Sequence, residues 1–322
     1  MIRNSKNPII TRLDVPDIQP NLVDVTSVFN PGAIKFNGKY LLMLRVQSRS
    51  RETYMVMADS SDGIDFKVRD KIVDFKGMEN VKEKIYHIYD ARLTKIEDKY
   101  YIMFAMDMEG SCQLGLGTTS DFENFEFMGI VSNEDIRNGV LFPEKVNGKY
   151  LRMDRPNKSK LVGGPTSGST ICLSESDDLI NWEAKAALIN GRFHYWDEHI
   201  GSGPPPVKTK RGWLHIYHGI AGHFGSSNIY QAGVILLDLN DPTKVLGRSR
   251  CNILEPREIW ELAGQVPNVC FPSGMIVEKF DSEGFAEPDS EVKIYYGAAD
   301  TVVGLARTTI QELINATEEA AL

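Results

Sequence analysis

The sequence predicts an all-β fold, a five-bladed β-propeller. Three observations predict it: short β-prone runs broken by tight-turn signals, five recurrences of one internal order, and the near absence of long helical periodicity. The order is a hairpin, a third strand and a Ser-Asp-type turn. A β-sandwich would give similar local signals but would not repeat that order in each unit.

The first unit pairs residues 32–36 with 39–45 across Asn37-Gly38, the dipeptide that most strongly marks a two-residue hairpin. Its third strand is 54–58, followed by Asp62-Gly63 and a segment around Phe66. The second unit pairs 91–96 with 99–104 across Glu97-Asp98, then runs through 113–117 to Ser120-Asp121-Phe122. A third starts at Pro143, turns at Asn147-Gly148, and continues through 149–153 and 169–174 to Ser176-Asp177 and Trp182. The fourth opens at Pro204-Pro205-Pro206, turns at Arg211-Gly212, and contains strands 213–218 and 231–237. A fifth opens at Phe271-Pro272, with strands 292–296 and 302–306. Equivalent starts at 31, 91, 143, 205 and 272 are spaced by 60, 52, 62 and 67 residues, so connecting loops vary while the unit does not. The whole chain, residues 1–322, is therefore read as one domain. Only residues 310–316 look helical, with Thr308 or Thr309 as N-cap.

Composition bounds the partners. The 322 residues carry 36 Lys+Arg against 44 Asp+Glu, a net charge of −8, which argues against a nucleic-acid backbone as partner. A small anion is not excluded, since a few arginines in one pocket make a local positive field. No apolar run reaches the length of a membrane span, and residues 1–8 show no apolar signal segment. Cys112, Cys172, Cys251 and Cys270 are dispersed, without a C-x-x-C pair, and read as small buried hydrophobes in a reducing compartment. A cytoplasmic location is the expectation, and no metal or disulfide framework is expected.

On a propeller the innermost strands line a central funnel, so polar residues at unit starts are candidates for chemistry. Asn30, Asp90 with Arg92, Arg137-Asn138, His199 and Asp300 stand at such places, and Arg45, Arg155 and His218 end second strands. Singly, each has an ordinary structural explanation: Asp90 as a turn cap, Arg137 as a solvated loop residue, His218 as a core histidine. Recurrence at equivalent places favours convergence on one axis. Arg137, Arg155 and His218 together would hold a phosphate-sized dianion, the arginines through bidentate forks. Asp90 would be a single proton donor. Inverting hydrolysis of a glycoside needs two carboxylates, the second to deprotonate water. Phosphate is already an anionic nucleophile, so one acid beside a cationic cluster fits phosphorolysis better.

The same blocks carry a family resemblance that extends over essentially the whole chain. Tyr89-Asp90-Ala91-Arg92, Asn138-Gly139-Val140-Leu141-Phe142-Pro143, Ile200-Gly201-Ser202-Gly203-Pro204-Pro205 and Ile216-Tyr217-His218-Gly219 resemble glycoside hydrolase family 130, the β-mannoside phosphorylases and related mannosidases on five-bladed propellers. The resemblance implies a glycosyl transfer to phosphate: a β-mannoside plus inorganic phosphate gives α-mannose 1-phosphate and the shortened acceptor, with no other cofactor. Asp90 matches the general acid, which in that family acts through the mannose 3-hydroxyl. Arg137, Arg155 and His218 match phosphate-binding positions, and Tyr230 is a further phosphate candidate. Asn30, Tyr89 and Asp300 match positions holding the terminal mannose, with Arg45 and Arg51 in the first-blade arginine stretch. One departure stands out: His199 occupies a place where the family pattern leads one to expect a phosphate-binding Lys. That leaves a hydrolase as the alternative, with Asp197 or Glu198 as second carboxylate; a non-catalytic carbohydrate-binding propeller is a further one. Linkage, acceptor and any homo-oligomeric state are left open, the first two being assigned to loops 160–169 and 222–228.

Overall fold

Paired residues of positive φ close two of the hairpins. Asn37 and Gly38 take φ of 49° and 76° between strands Ser27–Phe36 and Lys39–Gln47, and Asn147 and Gly148 take 53° and 80°. Asn and Gly tolerate this left-handed region, and the resulting turn has the twist that flanking strands need. The structure, a computed structural model, describes residues 1–133, 135–157, 168–222 and 228–318.

The Ser-Asp turns are equally regular in the first three of the five units. The hydroxyls of Ser60, Thr119 and Ser176 accept the N–H groups of Gly63, Phe122 and Leu179 at 2.9, 3.0 and 2.9 Å. Asp62, Asp121 and Asp178 each accept two further backbone N–H groups. Those hydrogen bonds hold the three carboxyls below the usual range, Asp62 and Asp121 to about 2.

Five antiparallel sheets result. Blade one contains Ser27–Phe36, Lys39–Gln47, Thr53–Ser60 and Lys67–Ile72. Blade two contains Ile85–Ile96, Lys99–Met108, Ser111–Thr119 and Phe125–Ile130, with Phe75–Lys76 added in parallel outside. Blade three is Ile136–Leu141, Tyr150–Pro156, Thr170–Ser176 and Glu183–Asn190. Blade four is His199–Ser202, Gly212–Ala221, Ile229–Leu237 and Val245–Arg248, with Val207–Thr209 on its second strand. Blade five is Cys270–Val277, Glu291–Ala298, Val302–Thr309 and, outermost, Ile2–Arg3 from the chain start. The innermost strands of blades three and four therefore precede Pro143 and Pro205, the starts assigned from sequence. Proline lacks the N–H to continue a ladder, so those strands stop before it.

Each neighbouring pair of blades shares one apolar cluster, so burial between blades holds the ring together. Val28 and Leu42 meet Tyr295 and Val303; Leu41 and Met43 meet Leu93 and Phe104; Met103 and Leu114 meet Leu141. Val140 and Met153 meet Ile200 and Trp213, and Leu214 and Val234 meet Val292 and Ile294. Ring closure adds a polar latch. Arg3 donates from Nε and Nη2 to the buried Glu261 carboxylate at 2.8 Å each, and Tyr296 donates to the same group at 2.8 Å. The helix Ile310–Glu318 starts at Thr309, whose Oγ1 accepts the Glu312 N–H at 3.2 Å while the Glu312 carboxylate accepts the Thr309 N–H at 3.3 Å. Ile310, Leu313 and Ile314 bury its apolar face in the cluster shared by blades four and five. The cysteines are all free; Cys112 and Cys270 are buried and Cys172 half-buried, but Cys251 is exposed. The reading of all four as core residues fails at Cys251, which lies in the segment following Val245–Arg248 and belongs to no apolar cluster.

Candidate active site

A repeated backbone irregularity builds the site. In three innermost strands two residues oppose one: 30–31 face Leu44, 90–91 face Phe104 and 138–139 face Asp154. The first bulged residue is Asn30, Asp90 or Asn138, with φ of 46°, 57° and 54°. Asn and Asp are the non-glycine residues that best accept this conformation, and a bulge re-aims its side chain. Adjacent inner strands touch here: a Cβ on Gly32 would lie 2.6 Å from the Ala91 carbonyl oxygen. Three blades thus turn a polar side chain into one axial cavity of about 300 Å³.

That cavity brings together Asn30, Arg45, Tyr89, Asp90, Arg137, Arg155, His218, Tyr230 and Asp300. Arg51 and His199 are not among the residues lining it. Arg51 sits in the turn before Thr53–Ser60 and reaches across the rim, donating to the Gln265 side chain at 3.2 Å. His199 is half-buried at the start of blade four's inner strand, opposite Ile220. Most of loops 160–169 and 222–228 lies outside the described residues.

One half of the cavity is built around carboxyls. Asp90 Oδ1 accepts hydrogen bonds from Asn30 Nδ2 and Arg45 Nη1, both at 3.0 Å, while Oδ2 has no partner among the described residues. The Arg45 guanidinium lies 4.6 Å from the Phe29 ring centre and 4.5 Å from that of Tyr89, so two aromatic faces fix it. Asp300 has φ 48° in the turn between Glu291–Ala298 and Val302–Thr309. Burial pushes its carboxyl up to about 6; Arg45 opposes that rise and Asp90 adds to it.

The other half is cationic. Arg137 and Arg155 are direct cross-strand partners, and the Nε of each is buried without a partner among the described residues. Like charges facing across strands are destabilising unless something compensates them. Burial, and then Arg137, disfavours the charge on Arg155. His218 is buried and hydrogen-bonds the Ser202 backbone, but its Nδ1 has no partner among the described residues. Burial, followed by Arg155, holds this imidazole neutral. The Tyr230 ring stacks on His218 with centroids 6.2 Å apart. The two arginines and the Tyr230 hydroxyl bring more donors than the nearby acceptors can match, namely the Asn157 side-chain oxygen that Arg155 Nη2 reaches at 3.3 Å and the Asp107 carboxylate, which makes this half a site for a small anion.

Asp107 and Phe271 also line the cavity without any signal read for them as site residues in the sequence, and Asn138, a candidate by its place at a unit start but given no role, lines it too. Asp107 accepts the Tyr89 hydroxyl at 2.7 Å and lies 3.7 Å from Arg137 Nη2. Its signal was an acidic residue interrupting an apolar second strand, Met106-Asp107-Met108. Asn138 meets His218 over Gly201, where an added Cβ would lie 2.6 Å from both Asn138 Oδ1 and His218 Nε2.

The carboxylates considered for a hydrolytic base lie elsewhere. Asp197 is fully buried, with Arg192 donating at 2.7 and 2.8 Å, Arg248 at 2.6 Å and the Tyr217 hydroxyl at 2.7 Å. It is a structural anion whose lone pairs are engaged. Asp197→Ala leaves two arginines facing an empty centre and is expected to cost about 3–5 kcal/mol. A urea melt checks this; an unchanged midpoint would free Asp197 for another role. Glu198 lines a separate depression with His194, Trp196 and Gly222.

Comparison with known proteins shows the family and the fold. The family profile described as beta-1,4-mannooligosaccharide phosphorylase, glycoside hydrolase family 130, matches residues 2–319. A 1,2-beta-oligomannan phosphorylase of Thermoanaerobacter sp. is 33% identical, the match covering 93% of this chain and 97% of the relative. A beta-1,4-mannooligosaccharide phosphorylase of Ruminococcus albus is 30% identical over 97% of this chain and 89% of its own. The solved beta-1,2-mannobiose phosphorylase of Listeria innocua, in complex with beta-1,2-mannobiose, superposes with a TM-score of 0.85 at 30% identity, covering 99% of both chains. The chain belongs to glycoside hydrolase family 130.

Proposed function

We propose that this protein is an inverting β-mannoside phosphorylase. Phosphate attacks the anomeric carbon, the glycosidic C–O bond breaks, and the departing oxygen takes a proton, giving α-mannose 1-phosphate and a shortened acceptor. The observation that carries this reading is the facing Arg137–Arg155 pair, each with a buried Nε that has no partner among the described residues, in the same cavity as the Asp90 carboxyl, whose Oδ2 likewise has none among them. Arg137, Arg155, His218 and Tyr230 hold the phosphate, and Asn30, Arg45, Tyr89 and Asp300 hold the terminal mannose. Asp90 supplies the proton from its free Oδ2 through the mannose 3-hydroxyl, as the family resemblance implies. Inorganic phosphate is the co-substrate.

A hydrolase needs a base on the nucleophile's side. Asp107 is engaged by Tyr89 and Arg137, and Asp300 lies with Arg45 and Asp90 in the carboxyl half of the cavity rather than beside the facing arginines. A cytoplasmic setting suits the chemistry, because a charged sugar phosphate is retained behind a membrane.

The synthetic direction tests the reading and fixes the acceptor. α-Mannose 1-phosphate is incubated with mannose, glucose or N-acetylglucosamine, and phosphate release and the new linkage are read out. The names of the relatives include both β-1,2 and β-1,4 substrates, so both products are assayed. Phosphate release with at least one acceptor is expected; release with none, alongside hydrolysis of mannobiose, would contradict the proposal.

Asp300 gives this reading a pH dependence. An ionised carboxylate accepts sugar hydroxyl donors through both oxygens with charge assistance, and protonation turns one oxygen into a donor and weakens the rest. With its carboxyl at about 6, kcat/KM for the mannoside should fall as pH drops through that value. Asp300→Asn should flatten this limb, and an unaltered limb would remove Asp300 from sugar binding.

A further inference from the structure

Arg92 ends the bulge that carries Asp90, and it is only 1% exposed. Among the described residues its guanidinium has no carboxylate partner. Nε donates to the Gly203 carbonyl of blade four at 2.8 Å, and Nη1 donates to the backbone carbonyl of Asp90 at 2.8 Å. The Phe271 ring of blade five lies 5.6 Å from the guanidinium carbon. One side chain of blade two therefore ties blade four to the peptide that follows Asp90.

A buried cation without a counter-ion is costly, and an apolar side chain of similar size would fill the space at less expense. What such a side chain could not do is hold two carbonyls at once in a fixed fork. Asp90 needs that hold. Its left-handed backbone is a strained state for a non-glycine residue and persists only where neighbours over-determine it. Asn30 and Arg45 grip its carboxylate, but neither grips its peptide. Gly203 is equally constrained: a Cβ there would lie 2.5 Å from the Ile216 carbonyl oxygen, so the acceptor that anchors Arg92 cannot drift inward.

We propose that Arg92 is a positioning residue for proton transfer, holding the Asp90 backbone so that the free carboxyl oxygen meets the substrate. This rests on the reading of Asp90 as the acid. A loss that acts through the acid depends on the leaving group, whereas a general weakening of the propeller does not.

Arg92→Lys keeps the charge and can reach one carbonyl but not the fork of both. Its turnover of mannobiose with phosphate should fall about 10–100-fold, the scale of a small misplacement of a reacting group. With 2,4-dinitrophenyl β-mannoside, whose leaving group needs no proton, the loss should be less than about threefold, and the phosphate KM should stay near the wild-type value. An equal loss on both substrates, no loss on either, or a phosphate KM raised in step with the loss would overturn the proposal. Thermal melting is followed throughout; if Arg92→Lys does not fold, Arg92→Gln, with a single amide donor, is compared in the same way. Asp90→Asn is run alongside. If it keeps mannobiose turnover, the acid assignment itself fails. If it shows the leaving-group dependence and Arg92→Lys does not, only the role of Arg92 fails.

Discussion

Asp90→Asn is expected to lower kcat for mannobiose phosphorolysis by about 10²–10⁴-fold, the range that a positioned general acid supplies. The amide keeps the shape of the side chain and can still accept from Asn30 and Arg45 through its oxygen. It cannot deliver a proton from the position of Oδ2. The left-handed backbone should survive, since Asn takes that conformation at positions 30 and 138 of this same chain. Sugar affinity should therefore change little, which separates a catalytic role from a binding one. Steady-state kinetics with a direct measurement of mannobiose binding checks both halves. Undiminished turnover would take Asp90 out of the mechanism, and a variant that neither binds nor turns over would make it a scaffold residue.

The second large effect is on phosphate. Arg155→Ala should raise the phosphate KM about 10–150-fold, taking roughly 1.5–3 kcal/mol for the lost charge-assisted hydrogen bonds. The mannoside KM should stay within a few-fold of wild type, because the side chain belongs to the cationic half of the cavity. Stability should respond in the opposite sense to an ordinary truncation. Arg155 is half-buried, faces Arg137 directly and, apart from the Nη2 hydrogen bond to Asn157, has a buried Nε without a partner among the described residues, so without phosphate it is a burden on the fold. Its removal relieves a like-charge contact while opening a small void, and adding phosphate should stabilise the wild type far more than the variant. Equal phosphate-dependent shifts in melting temperature would contradict this.

The hairpins were legible because their turn chemistry is local: Asn37-Gly38 and Asn147-Gly148 need no distant partner to be read. The bulges were legible only in part. Asn30, Asp90 and Asn138 appear in sequence as polar residues at unit starts, but their shared left-handed backbone depends on pairing with second strands. His199 and Arg51 were placed by proximity to a motif, whereas the wall is set by which strand faces the axis. Strand Ile2–Arg3 offers too few residues for periodicity, and its place in blade five is decided by Arg307 and Ala306 opposite it. Asp107 is visible only as one acidic residue in an apolar strand, and its meaning comes from Tyr89 reaching it across its own sheet and Arg137 from the neighbouring blade.

The central claim is that phosphate, held by Arg137 and Arg155, is the nucleophile. The most direct measurement is an NMR time course of the earliest products from β-linked mannobiose, with and without inorganic phosphate. α-Mannose 1-phosphate should appear at once with phosphate present, and cleavage should all but stop without it. Free mannose released at equal rates in both tubes would contradict it.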